Sequence, residues 1–317
     1  MPTSSPFPSE RYVAPFDDDD VRISEPTLDA GTKPRSVWSD VWMSIRKRPL
    51  FWTSAILISL VVTVAAFPSW FTSVSPDEGC LLANSDGPPQ MGHPFGFTVQ
   101  GCDVYSRVIY GARASVMVGL LAMLLATAFG GIVGALAGFY GGILDSILSR
   151  VVDIFFAIPM VLGAIVMMSV SNERTAILVA VVIAVFAWPQ IARIARGAVL
   201  SARKSDYVTA VTSLGLSPFK TLVRHVVPNS LGPVIAVATV SLGTFIVAES
   251  TLSYLGIGLP ASTMSWGNDI SQAQSSLRTN PLLLVYPAGA LSITVLSFLM
   301  LGDVLRDALD PKERTRR

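Results

Sequence analysis

Six apolar stretches, near residues 50–70, 112–138, 151–169, 175–195, 231–255 and 282–302, constrain this chain more than any other feature. A helix needs about 20 mostly apolar residues to cross the hydrocarbon core of a bilayer, and each stretch approaches that length. Residues 114–144 and 279–302 contain no Asp, Glu, Lys, Arg or His. Inside lipid every backbone N–H and C=O must find a partner within the protein, and runs of this length and spacing do so as helices. Composition points the same way. Of 317 residues 51% are hydrophobic and 14% charged, with mean hydropathy +0.56, which excludes an ordinary soluble domain of this length. The expected fold class is all-α: a polytopic membrane protein with six transmembrane helices. The basic run "IRKRP" before the first stretch raises a signal peptide as an alternative, but a long polar segment precedes it and no small-residue cleavage site follows.

Orientation follows from the basic residues, since Lys- and Arg-rich loops stay in the cytoplasm. An even number of spans puts both termini on one side. With that side cytoplasmic, all 23 Lys and Arg except Arg107, Arg113, Arg174 and Arg278 lie in inner loops or tails. Both termini are therefore expected in the cytoplasm. Residues 1–36, rich in Pro, Ser and acid, hold too little apolar content to offset the entropy of ordering and read as a flexible cytoplasmic tail. Across 37–49, Val37, Val41 and Ile45 share a helical side with Trp38 and Trp42, the pattern of an interfacial amphipathic helix, with a docking role as the alternative. The six-helix domain spans 50–305, with an external loop at 71–107 and a cytoplasmic loop at 200–230, and a second cytoplasmic tail covers 306–317.

The cytoplasmic loop contains "YVTAVTSLGLSPFKTLVRHVVP", residues 207–228. Ser205 or Asp206 can cap a helix whose Tyr207, Ala210, Val211 and Leu214 repeat at i, i+3, i+4 and i+7. Gly215 supplies the left-handed residue that ends it, Ser217 caps a second helix with Pro218 at its first position, and Pro228 is expected to stop that helix. An apolar helical elbow in water, too small to be a domain, reads either as a docking surface for a second protein or as a segment packed against the chain's own spans.

The order Ala210, Gly215, His225, Pro228 resembles the cytoplasmic "EAA" loop of ABC importer permeases. "YSRVIYGARASVMVG" (105–119), "GFYGGILDSILSRVVDIFFAIP" (138–159), "AESTLSYLGIGLPASTMSWGN" (248–268) and "LGDVLRDALDP" (301–311) resemble one branch of them, the dipeptide/oligopeptide permeases of the "C" type, in order and spacing from about Trp38 to Pro311. The resemblance implies the type I ABC importer permease fold and a homologous B-type permease partner. It also implies two cytoplasmic ATP-binding subunits that hold ATP and Mg, and an extracytoplasmic substrate-binding protein. It assigns ATPase coupling to Tyr207, Ala210, Leu214, Gly215, Leu216, Ser217, Phe219, His225 and Pro228. The cargo it implies is a di- or oligopeptide, with nickel, glutathione or haem as alternatives within the branch. Two departures stand out. Thr209 and Val211 replace the Glu and second Ala of the loop, and "HPFGFTVQGCD" (93–103) replaces the branch's "GTDxxGRD", with Phe97-Thr98 for Thr-Asp and Cys102 for Arg.

Cys80 and Cys102, the only cysteines, both fall in the external loop, where oxidising conditions favour a disulfide. Closing a ring of roughly 20 residues contributes about 3 kcal/mol in the chain-entropy estimate. Two free thiols, or a metal site with His93 as the one nearby imidazole, are the alternatives. Glu249 lies inside the fifth span, where a carboxyl demands polar surroundings, and reads either as hydrogen-bonded structure or as lining of a translocation path. Gly130, Gly134, Gly138 and Gly142 form a small-residue stripe for close helix approach or pore lining. Pro189 is expected to bend the fourth span, and Arg150 and Asp153 to form a local pair.

A membrane enzyme needs convergent catalytic groups, yet the two histidines, His93 and His225, fall on opposite sides of the bilayer. A secondary transporter would show broken helices or paired intramembrane charges, and only Glu249 qualifies. No GxxxxGK[ST] phosphate loop is present, so the chain itself is not expected to hydrolyse ATP or bind a cofactor. The expected function is a permease subunit of an ATP-driven importer, with lipid and protein partners and no nucleic acid.

Overall fold

The computed structural model describes residues 37–171 and 173–309, with side chains from Val41 onward. The tail expected at 1–36, and residues 310–317 of the second tail, lie outside the described residues. Eleven α-helices follow one another among the described residues: α1 (Val37–Ile45), α2 (Pro49–Ala66), α3 (Val104–Tyr140), α4 (Gly142–Phe156), α5 (Met160–Val170), α6 (Ala176–Arg203), α7 (Asp206–Ser213), α8 (Pro218–Thr221), α9 (Val227–Tyr254), α10 (Trp266–Ala273) and α11 (Leu282–Leu309). Extended pairing there is limited to two isolated bridges in the loop before α3, Gln90 with His93 and Phe97 with Asp103. Among the described residues three helices start on side-chain caps. Asp103 accepts from the Ser106 N–H at 2.8 Å, Thr175 from Leu178 at 3.2 Å and Ser265 from Asn268 at 3.2 Å.

Five helical runs are long and apolar enough to cross a membrane: α2, α3, α6, α11 and the run Pro218–Tyr254. A sixth crossing exists only if α4 and α5 count together, and they meet at a 78° bend. The stretch expected as a straight third span is therefore broken. Pro159 offers no N–H and its ring pushes Ile158 out of the helical region, so α4 ends and α5 starts afresh at Met160. The fourth span, by contrast, runs unbroken through Pro189.

The most extensive helix pair is α3 with α6. Its seam is the glycine stripe: a Cβ on Gly130 would stand 2.6 Å from the Trp188 carbonyl oxygen, and one on Gly138 2.8 Å from that of Arg196. Between them Gly134 abuts the Ala192 carbonyl, whereas Gly142, the last of the expected stripe, faces open space. Above the seam Val118, Ala122 and Ala126 interlock with Val179, Ile183 and Ile191, all fully buried. Trp188 takes the edges of Phe129 and Phe155 at 5.0 and 5.5 Å between ring centres. α9 joins this body where Gly119 meets Ile246, and α11 joins α9 where Gly243 meets Val295 and Gly302 meets Val240. Val41 and Ile45 are buried with Val304 and Ala308.

Several hydroxyls in the spans are satisfied within their own helix, though among the described residues the Thr127 hydroxyl in α3 is buried without a partner. Thr63, Thr239 and Ser297 donate to the carbonyls of Ser59, Ile235 and Ile293, four residues back, at 2.7, 2.9 and 2.6 Å. On α4, Asp145, Ser149 and Asp153 form one stripe toward α6, while Ile143, Ile147 and Ile154 are exposed on other sides. Arg196 grips Asp145 with two bonds of 2.6 and 2.7 Å. Arg193 bonds Asp153 at 2.8 Å and covers the Phe156 ring. The expected Arg150–Asp153 pair is corrected accordingly: Asp153 faces α6 and is taken by Arg193, and Arg150 is exposed.

The seam makes a contrast that can be measured. Alanine exceeds glycine in helix propensity by about 1 kcal/mol, whereas forcing a methyl into a packed contact costs about 1–3 kcal/mol. A methyl group added at Gly131 would meet nothing within 4 Å, whereas one at Gly134 would meet backbone. Thermal unfolding in detergent is expected to show Gly131→Ala unchanged or stabilised and Gly134→Ala destabilised; equal midpoints would contradict the seam.

Candidate functional site

The elbow between α6 and α9 is built from short-range rules. α7 closes as the Leu214 N–H reaches the Ala210 carbonyl at 3.1 Å, and the Leu216 N–H reaches Val211 at 3.4 Å. The first is the last regular helical bond; the second spans five residues and requires the chain to turn through a left-handed residue, and Gly215 has φ +84°. Ser217 then takes cap geometry, φ −65° and ψ 146°, with Pro218 at the first position of α8. Pro228 does not stop the helix, contrary to expectation. Residues Leu222–Val226 form a π turn that carries α8 into α9. A π turn widens the ladder by one residue, which accommodates the missing Pro228 N–H and the clash of its ring with the preceding turn. A single helical rod therefore runs from Pro218 to Tyr254.

Burial in the elbow is one-sided. Val208 packs with Phe139, Val199, Leu222 and Val226, anchoring α7 to the ends of α3 and α6. Tyr207, Ala210, Leu214 and Phe219 remain exposed, Leu214 at 81% and Phe219 at 64%. Gly215, Ser217 and Pro228 are exposed beside them, and Leu216 and His225 are half-buried. Asn229 donates to the His225 carbonyl at 2.7 Å. The spacing assigned Val211 to the open face, but it is half-buried, and the inward anchor is Val208.

At the other end of α9, Glu249 is fully buried. Its carboxyl accepts from Ser253 at 2.8 Å and from Ser250 at 3.2 Å, and the hydroxyls of Ser115 and Ser265 also face it. Those serines lead outward: Ser115 of α3 accepts the Trp266 N–H at 3.2 Å, and Ser253 accepts the Leu259 N–H at 3.1 Å. Glu249 thus joins α3, α9 and the turn into α10. Glutamine keeps the shape and acceptor of this cluster, whereas leucine strands buried hydroxyls at about 1–3 kcal/mol each. Glu249→Gln is expected to keep wild-type yield of folded protein in membranes and Glu249→Leu to lose most of it; equal yields would remove the cluster from any structural role.

The loop before α3 is a compact plug. Cys80 and Cys102 are disulfide-bonded, with Cα atoms 4.3 Å apart. Asp103 caps α3 with Oδ2 and holds His93 Nδ1 at 3.0 Å with Oδ1. Thr98 accepts the Cys102 N–H at 3.1 Å, and Ser276 ties in Asp86 at 2.8 Å. A cavity of about 580 Å³ opens between this loop, the start of α3, α10 and the start of α11. Arg107 and Asp269 line it, with Arg107 Nε and Nη2 bonding Asp269 Oδ1 at 2.9 and 2.6 Å. Nothing in the sequence pointed to this pair, since 162 residues separate its members and no local pattern joins them. Among the described residues no cluster of three or more His, Cys, Asp or Glu could hold a metal ion.

Comparison with known proteins matches this architecture. Residues 130–315 match the family described as binding-protein-dependent transport system inner membrane component. Residues 36–89 match the N-terminal TM domain of oligopeptide transport permease C. The oligopeptide transport system permease protein OppC of Bacillus subtilis (strain 168) is 37% identical over 89% of this chain and 92% of its own. The glutathione transport system permease protein GsiD of Escherichia coli O6:K15:H31 (strain 536 / UPEC) is 34% identical over 88% and 91%. An inward-facing structure of the MetNI methionine ABC transporter superposes with TM-score 0.53 at 20% identity, covering 64% of this chain and 96% of the other, a likeness of fold. The chain belongs to the binding-protein-dependent transport system inner membrane component family, as a multi-pass inner-membrane permease subunit.

Proposed function

We propose that this chain forms, with a homologous B-type permease subunit, the membrane pathway of an ATP-driven importer for di- or oligopeptides. Two cytoplasmic ATP-binding subunits hold ATP and Mg, and an extracytoplasmic binding protein delivers the cargo. The likeness to OppC supports peptides, and the likeness to GsiD supports glutathione, itself a short peptide, as a second reading. In this reading both termini and residues 200–230 face the cytoplasm, residues 37–49 lie along the inner membrane surface, and residues 71–107 face outward.

The observation that carries the coupling role is the open elbow. Tyr207, Ala210, Leu214 and Phe219 are exposed on a segment that Val208 fixes from beneath. Apolar side chains gathered on a rigid aqueous elbow suit the groove of a partner protein. The rod Pro218–Tyr254 gives such a partner its lever, since a push on α8 is delivered along α9 to the Glu249 cluster and the outer turn. In the proposed cycle, closure of the two ATP-binding subunits pulls the paired elbows and turns the pathway outward.

The test uses the assembled importer in proteoliposomes, with ATP hydrolysis and peptide uptake measured together. A carboxylate forced into a docked apolar surface costs several kcal/mol, about 1.4 kcal/mol being tenfold. Leu214→Asp is expected to cut uptake about tenfold or more while ATP hydrolysis persists. Gly215→Val acts the same way by opposing the left-handed turn. Wild-type coupling in Leu214→Asp would remove the elbow from the mechanism. Competition of labelled tripeptide uptake by glutathione separates the two cargo readings.

A further inference from the structure

The Arg107–Asp269 pair is lopsided. Both hydrogen bonds from the guanidinium go to one carboxylate oxygen, Oδ1. Among the described residues the other oxygen, Oδ2, is buried without a hydrogen-bond partner, and Arg107 Nη1 makes no hydrogen bond. Each side chain is only 8% exposed, so the pair is a costly arrangement for a merely structural ion pair, whose usual form is two parallel bonds. Stranding a buried carboxylate oxygen carries the penalty of an unmade bond to a charged group.

The pair lies on the wall of the roughly 580 Å³ cavity. Around it stand Gln100 and Gln272, whose amides both donate and accept, with Thr98 and Ser271, whose hydroxyls are engaged with the Cys102 N–H and the Tyr254 carbonyl. Among the described residues the cavity wall thus carries an anion whose second oxygen lies unpaired behind its surface, a cation whose Nη1 is free of protein partners beside it, and a neutral polar rim. A ligand that completes this set carries an ammonium next to a carbonyl, with further amides beyond. We infer that the cavity receives the free N-terminal end of a short peptide. The ammonium donates to Asp269 Oδ2, the first carbonyl accepts from Arg107 Nη1, and the glutamine amides meet the following peptide bonds. The terminal torsion of an aspartate is broad, so in this proposal a turn of the carboxyl, at the expense of one of the two Arg107 bonds, brings Oδ2 to the ligand. Recognition through the terminus and backbone alone leaves the side chains unread. The inference rests on the peptide reading above and adds an outer-face subsite on this subunit, separate from the binding protein.

Saturation-transfer NMR on the permease pair with its ATP-binding subunits in nanodiscs, without the binding protein, tests it with tri-alanine and N-acetyl-tri-alanine. Acetylation removes the ammonium and is expected to weaken binding about tenfold or more, the usual worth of a charge-assisted hydrogen bond. Asp269→Asn keeps the size of the side chain and an acceptor for Arg107. It is expected to weaken tri-alanine by a similar factor and to leave the acetylated peptide unchanged. Equal binding of the two peptides to the wild type overturns the subsite, as does a loss in Asp269→Asn that is the same for both, or no binding of either. Peptide uptake by the wild-type importer, measured alongside, separates the two claims: uptake with no discrimination in binding sinks the subsite and leaves the peptide reading standing.

Discussion

Helices that meet in a bilayer gain nothing from apolar burial as such, because lipid is as apolar as leucine, so their association depends on how closely backbones can approach. The seam between α3 and α6 is the point where that constraint is met. Gly130, Gly134 and Gly138 place α3 against the carbonyls of Trp188, Ala192 and Arg196, and no side chain fits between. The rest of the body is laid on this pair. The broken helix α4–α5 is fastened to α6 by Arg193 and Arg196, and α9 packs on α3 through Gly119. The ends of α3 and α6 also furnish Phe139 and Val199, on which Val208 seats the elbow.

The elbow and the Glu249 cluster therefore stand at opposite ends of one continuous helix. From Pro218 to Tyr254 the chain stays helical, with the π turn as its one irregularity. Near its Tyr254 end Glu249 gathers serines from α3, α9 and the turn into α10, and α10 carries Asp269. The two ends of the rod are thus linked by packed groups that hold discrete hydrogen-bonded positions.

Much of this was legible in the sequence where the governing physics is local. The bilayer sets the length of a span, so hydropathy alone located the long helices. Gly215, Ser217 and Pro218 announced the elbow because left-handed backbone, helix caps and first-turn proline each favour few residues. What escaped depends on direction or distance. Hydropathy is blind to a bend, so the 78° break at Pro159 looked like a continuous span. Pro228 looked like a stop because a π turn has no sequence signature. Asp153 has Arg150 three residues away and Arg193 forty away, and only the fold chooses between them. Arg107 and Asp269 belong together for the same reason and were invisible separately.

The central claim, that the exposed elbow is the seat of an ATP-binding subunit, is tested most directly by proximity. A photocrosslinking amino acid placed at Leu214 in the assembled importer reports its neighbour without changing the charge of the surface. Met91, fully exposed in the loop before α3, is the control. The account predicts a crosslink from position 214 to an ATP-binding subunit and none from position 91 to that subunit. Crosslinks from position 214 that reach only lipid or the permease chains would contradict it.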